Sequence, residues 1–208
     1  MENKVKIGVI NYGIGNLRSI LNCINKFSEK TYLINHPGDI KNFDKIILPG
    51  IGSFKKAMEI LSNQGWKDEI LEYGKISKKP LLGICLGMQI LATSGEEFGN
   101  TKGLDLIPGK VKHLKSFGCK YLIPHIGWNE VITNKKNLLL KNIPDKSSFY
   151  FVNSFAFDAE NKNHEICETE YDIRFTSVIN NENIYGTQFH PEKSSKAGSQ
   201  LLKNFIYA

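Results

Sequence analysis

Short β-branched runs that end in a glycine turn and restart as a helix-spaced apolar pattern leave a chain few ways to fold, and the first half of this sequence repeats them. VKIGVI at 5–10 is followed by Gly13, Ile14, Gly15 and Asn16, then by Leu17, Ile20, Leu21 and Ile24 at the i, i+3, i+4, i+7 spacing of an amphipathic helix. Strand-like runs recur at 31–34 and 45–48, helical patterning begins at Phe54, and 81–84 followed by 86–92 repeats strand, turn and helix. Parallel strands need a crossover to become neighbours, so the alternation predicts an α/β fold with a doubly wound, mostly parallel sheet. From about Val111 the texture changes to aromatic and β-branched segments such as SSFYFVNSFAF and DIRFTSVI, parted by Asn, Asp, Lys and Pro. That half reads as strand-rich, an antiparallel extension of the same sheet. No linker composition divides the chain, and a single domain over 1–208 is expected.

Several function classes are set aside by composition. No run of 18 apolar residues occurs and MENKVKIGVINYG lacks a signal-peptide pattern, so a soluble, cytoplasmic protein with no membrane partner is expected. Cys23, Cys85, Cys119 and Cys167 lie far apart without a C-x-x-C pair, which predicts free thiols and neither a zinc site nor a disulfide framework. The formal net charge of +6 and pI near 9.0 permit nucleic-acid or acidic-protein partners. The lysines are scattered, however, and the densest basic stretch, KVKHLKSFGCK at 110–120, lacks interleaved stacking aromatics, so a solvated surface without nucleic acid is the expected reading. Two glycine loops fail as nucleotide cradles: Arg18 and Lys55 stand where Gly13-x-Gly15 and Gly50-x-Gly52 need a third glycine.

Gly83-Ile84-Cys85-Leu86-Gly87 has the form G-x-C-x-G at a strand-to-helix turn, the cysteine counterpart of a nucleophile elbow. At a helix N-terminus, backbone N–H groups favour a thiolate. A cysteine in an apolar run is equally compatible with a space-filling role under a helix. Near the far end stands Gly186-Thr187-Gln188-Phe189-His190-Pro191-Glu192. A nucleophilic thiol needs a base, and the base needs an acceptor on its other ring nitrogen. In an extended segment residues two apart face the same way, so Glu192 is predicted to reach the His190 ring with Pro191 holding the segment open.

GICLGMQ around Cys85, QFHPE around His190 and Glu192, and LPGIGSF at 48–54 resemble the class I, or triad, glutamine amidotransferases. NYGIGN, PHIGWN at 124–129, FYFVNS at 149–154 and FHPEKS at 189–194 resemble, within that family, glutaminase subunits that serve imidazole glycerol phosphate synthesis. The resemblance implies a flavodoxin-like fold and hydrolysis of L-glutamine by Cys85, His190 and Glu192. It implies an oxyanion hole from Gly50, Ile51 and Leu86, and substrate contacts from Gln89, Glu97, Ser154 and Phe155. No cofactor is implied. Gln89 and Glu97 are also readable as a helix-surface residue and a solvated loop acid. The implied partner is a (β/α)₈ barrel cyclase that receives the ammonia, faced by Asn11, Trp128, Tyr150 and Lys193, although Trp128 is as readily a core aromatic. One departure stands out: Asn153 occupies a position where these subunits usually carry histidine. A paralogous subunit feeding a sugar amidotransferase, or a non-catalytic scaffold on the same fold, are the alternative readings.

Overall fold

The computed structural model describes residues 5–207. Four short strands open the chain: β1 (Ile7–Ile10), β2 (Thr31–Ile34), β3 (Lys45–Leu48) and β4 (Leu81–Ile84). Between them lie α1 (Leu17–Ile24), after β1, and α2 (Phe54–Asn63) and α3 (Trp66–Leu71), after β3. The ladders β2–β1, β1–β3 and β3–β4 are all parallel. Helix α4 (Leu86–Gln89) follows β4 directly. Beyond it come β5 (Ser94–Gly95), β6 (Thr101–Lys102), β7 (Gly109–His113), β8 (His125–Thr133), β9 (Ser147–Asn153), β10 (Phe155–Ala159), β11 (Glu165–Tyr171), β12 (Ile173–Asn181) and β13 (Ile184–Thr187). The chain's last helix is α5 (Ser195–Tyr207). The sheet runs β2-β1-β3-β4-β13-β12-β10-β7-β5-β6, and β11, β8 and β9 branch from β12. Strand β13 joins β4 in parallel, whereas the β12–β13, β10–β12, β11–β12 and β8–β9 pairs are antiparallel. The sheet is therefore mixed, with its parallel strands in the first half and mostly antiparallel ones after β7, as the alternation and the later change of texture predict.

Strands β1, β3 and β4 are buried on both faces, the condition of a parallel sheet between helical layers. Period-two alternation divides their side chains. Ile46 and Leu48 join Phe54, Met58, Leu61, Trp66 and Ile70 of α2 and α3, while Ile7, Val9 and Ile47 join Ile20 and Ile24 of α1 and Leu201, Leu202 and Phe205 of α5. Helix α2 begins where Ser53 caps it, its hydroxyl accepting from the Lys56 N–H at 3.4 Å.

Two local expectations are corrected. The helical pattern at 86–92 stops at Gln89. The carbonyls of Ile90, Leu91 and Ala92 instead accept from Leu104, Leu106, Ile107 and Asp105 N–H, so a neighbouring loop takes the acceptors that a longer helix needs for its own ladder. The segment after His190 is also not extended: Pro191–Lys193 forms a 3₁₀ turn with His190 as its extended first flank. Proline's fixed φ suits the first turn of a helix better than an open strand.

Candidate active site

Loops that leave the carboxyl ends of adjacent parallel strands converge outside the sheet edge, where ligands bind in open α/β sheets. Here the segments after β3, β4 and β13 meet. The register pairs Thr187 with Ile84 and Leu48 with Gly83, so Cys85 and Gln188 emerge side by side and the Cys85 N–H donates to Thr187 O at 2.7 Å. Cys85 itself has φ 54° and ψ −110°, a strained conformation for a residue with a Cβ. The glycine after it permits the turn by close approach: a Cβ on Gly87 lies 1.9 Å from Leu48 O. On the opposite side, Gly50 is pressed between Leu86, Gly87 and the Tyr12 hydroxyl, each 2.9 Å from where its Cβ belongs. Leu86 opens α4, where first-turn N–H groups have no intrahelical acceptor. Gly50 thus packs against the start of α4, and Ile51 and Leu86 line the same cavity as Cys85.

His190 and Glu192 are both buried, with His190 Nδ1 2.9 Å from Glu192 Oε1. The 3₁₀ turn makes this contact that an extended segment was predicted to make. With a carboxylate on Nδ1, that nitrogen carries the proton and Nε2 is the atom left for Cys85. Nε2 has no hydrogen-bond partner among the described residues. Burial alone lowers the His190 pKa, but Cys85 and Glu192 together outweigh it and push the imidazole up to about 10. The site therefore favours the imidazolium form of His190.

A cavity of about 390 Å³ opens on the thiol, lined by Ile51, Cys85, Leu86, Glu97, Asn153 and His190 among others, a size suited to a small ligand. Gln89 and Ser154 also line it, whereas Phe155 does not. Gln89 is buried rather than on a helix surface, and its Nε2 donates to Phe155 O at 3.0 Å and to Gln188 Oε1 at 3.1 Å. Both of its amide hydrogens are thereby used, leaving Gln89 an acceptor oxygen. Phe155 O accepts in addition from Asn153 Nδ2 at 3.1 Å. Glu97 is half-buried, with Oε2 accepting from Phe54 N–H at 2.7 Å at the start of α2. A larger groove of about 760 Å³ between α1 and α5 touches this constellation only at Glu192. Among the described residues, no group of three or more His, Cys, Asp or Glu is placed to hold a metal ion, and no helix is long and apolar enough to cross a membrane.

The four residues predicted to face a partner lie outside the cavity. Trp128 is 55% exposed, which removes it from the core. It stands opposite Tyr150 on the β8–β9 ladder, ring centroids 6.2 Å apart, and the Lys193 ammonium lies 5.6 Å from the Tyr150 ring centroid. Ile126, 60% exposed, and Val152 are the neighbouring pair on the same face of that ladder. Asn11 binds Asn35 Oδ1 at 2.8 Å at the exposed end of β1. Two residues escaped the sequence reading. Tyr12, buried, donates to Pro49 O at 2.9 Å, and burial together with the nearby Cys85 charge pushes its pKa up. Gln188, fully buried, places Nε2 3.9 Å from Cys85 Sγ. Their adjacency to β1 and to His190 was the available signal.

The family model for Glutamine amidotransferase class-I matches residues 8–208. The chain belongs to the class-I glutamine amidotransferases. This amidotransferase is 42% identical over 203 residues to imidazole glycerol phosphate synthase subunit HisH 2 of Vibrio vulnificus, covering 97% of this chain and 94% of that one. It is 45% identical over 200 residues to subunit HisH 2 of Methanococcus maripaludis, covering 96% and 98%. A solved glutamine amidotransferase superposes with a TM-score of 0.75 at 14% identity, covering 97% of both chains. PurLQS from Thermotoga maritima gives 0.73 at 17% identity over 98% of each, which establishes a shared fold.

Proposed function

We propose that this chain is the glutaminase subunit of an imidazole glycerol phosphate synthase, cleaving L-glutamine and delivering ammonia to a (β/α)₈ barrel cyclase. The observation that carries the chemistry is Cys85 on its strained elbow, beside a buried His190–Glu192 pair at the mouth of a small cavity. Identity above 40% to HisH subunits along nearly the whole chain supports the pathway.

The Cys85 thiolate forms the C–S bond to the side-chain amide carbon, and the carbonyl electron pair moves to oxygen. Backbone N–H groups of Leu86, Gly50 and Ile51 receive that oxyanion. His190, held by Glu192, gives its Nε2 proton to the departing nitrogen, and ammonia leaves. Water then adds with Nε2 as base, the C–S pair returns to sulfur, and glutamate is released. Glu97, pinned through Oε2 at α2, offers its other oxygen to the α-ammonium group. Gln89 offers its carbonyl oxygen, and Ser154 lies on the wall expected to receive the α-carboxylate, while Phe155 O is already bound to Gln89 and Asn153.

The partner's seat in this reading is the apolar pair of rows Ile126, Trp128 and Tyr150, Val152, exposed apart from the half-buried Tyr150 and flanked by Lys193. Exposed apolar patches of this kind mark interaction surfaces. Val152 O is 4.0 Å from Cys85 Sγ, so a protein docked there lies one strand from the thiol. Cys85→Ala tests the chemistry: with the cyclase present, glutamine-dependent synthesis is lost and synthesis from ammonium salts persists. Continued glutamine hydrolysis by that variant overturns the assignment. Restored growth without histidine, when the chain and its cyclase are co-expressed in a strain lacking both, tests the pathway.

A further inference from the structure

We propose that Gln188 is a catalytic residue of this site, acting through its side-chain amide as the hydrogen-bond donor that holds the Cys85 sulfur whenever the sulfur is an anion. The inference rests on the nucleophilic role proposed for Cys85 and goes beyond the triad and the oxyanion groups. The orientation of both amides is forced. Phe155 O is a carbonyl and only accepts, so the Gln89 side chain must turn its nitrogen toward it, at 3.0 Å. The same nitrogen donates to Gln188 Oε1 at 3.1 Å. Gln188 therefore has its oxygen occupied and its NH₂ turned to Cys85 Sγ, at 3.9 Å. Its side chain is fully buried, so the amide itself is shielded from solvent.

Beside His190, the sulfur has two hydrogen-bonding neighbours of opposite kind among the described residues. Val152 O, at 4.0 Å, accepts from a neutral thiol and is of no use to a thiolate. Gln188 N–H suits the thiolate, and less well the thioester, whose sulfur is a weak acceptor. It therefore favours the ionised free enzyme, and it meets the electron pair that returns to sulfur when water has added and the C–S bond breaks. The titratable groups around the sulfur are His190, Tyr12 and, behind the imidazole, Glu192. Gln188 adds an uncharged donor to them, one that binds an anion more strongly than a neutral sulfur.

The test is alkylation of Cys85 by iodoacetamide across pH, read at the Cys85 peptide by mass spectrometry, in wild type and in Gln188→Met, which keeps the length and removes the donor. Expected is a shift of the rate–pH curve to higher pH and a rate about tenfold lower at pH 7. Gln188→Glu, which sets a carboxylate beside the sulfur, shifts it further. An unmoved curve in folded Gln188→Met overturns the proposal, since a purely structural role lowers the unfolding temperature without moving the curve. Should Gln188→Met fail to fold, Gln89→Met frees the amide to rotate and gives a smaller shift in the same direction, or overturns the proposal by giving none. Alkylation requires neither glutamine nor the cyclase. An inert wild-type enzyme in the glutamine assay thus refutes the proposed function, whereas an unmoved alkylation curve refutes the role of Gln188 alone.

Discussion

Glu192→Gln isolates charge from shape in this site. The amide oxygen still accepts from Nδ1, at a position where the carboxylate sits 2.9 Å away, while the negative charge disappears. An imidazole held at about 10 instead of its ordinary 6.5 has its charged form favoured by about 5 kcal/mol. Burial works against that preference, and Cys85 and Glu192 supply it between them. A charge-assisted hydrogen bond in a fully buried pair accounts for roughly 2 kcal/mol of it, and losing that corresponds to about a 30-fold fall in glutamine turnover. The pH profile carries the sharper signature. A raised histidine pKa means that the imidazolium, the acid that protonates the leaving nitrogen, persists until the pH rises through about 10. Removing one stabilising anion lowers that pKa, so the alkaline limb of the variant moves down by about one to two pH units.

The assay is glutamate release with cyclase and acceptor ligand present, from pH 6 to 11, with unfolding temperature measured in parallel. Gln in place of Glu also puts an NH₂ where Glu192 Oε2 has no hydrogen-bond partner among the described residues, so some loss of stability is expected. A variant that turns over within threefold of wild type, with its alkaline limb unmoved, refutes the reasoning: Glu192 then orients the ring without charging it.

Three further outcomes follow from the same geometry. Gly87→Ala sets a methyl group 1.9 Å from Leu48 O, backbone against backbone, so a loss of 3 kcal/mol or more in chemical denaturation is expected, beyond the roughly 1 to 3 kcal/mol of ordinary overpacking; a loss under about 1 kcal/mol contradicts the close approach. Trp128→Ala removes the centre of the exposed rows and weakens cyclase binding by about 30-fold or more in calorimetry while leaving glutamate release by the isolated subunit unchanged. That isolated activity is itself expected to be low, because the Pro49 to Gly52 loop is glycine-rich, with Gly52 at φ 97°, and a bound partner shifts its population toward the competent arrangement; equal rates with and without cyclase and acceptor ligand contradict this.

The strands β1 to β4 were legible because their patterns are local: β-branched runs, a glycine turn and a restart at helical spacing decide them within a dozen residues. The elbow was legible for the same reason. What the sequence hid was set by contacts distant in the chain. Helix α4 is short because the loop at Leu104 to Ile107 takes the carbonyls of Ile90, Leu91 and Ala92 just beyond it, and the orientation of the Gln188 amide follows from Phe155 through Gln89, partners 66 and 99 positions apart. Trp128 was ambiguous because Ile126 and Trp128 share one side of β8, and an apolar row with period two reads as a core face until the structure shows nothing over it.

Asn153, the departure from the family pattern, is the place where the buried and exposed sides of β9 meet. It is buried opposite His125 on β8, and its Nδ2 donates to Phe155 O. His125 is no substitute for a missing imidazolium. Asn129 turns its nitrogen toward Glu170 O at 2.9 Å, so the same nitrogen meets His125 Nε2 at 3.3 Å as a donor and leaves the ring proton on Nδ1. Burial lowers the His125 pKa further, and the ring is neutral. A signal carried by a proton therefore has no carrier at position 153 in this chain. The backbone of β9 remains as the connection, with Val152 turning its side chain to the exposed rows and its carbonyl to Cys85. Coupling between a docked partner and the thiol then depends on the position of one peptide unit, which a partner that shifts β9 by a fraction of an ångström alters directly.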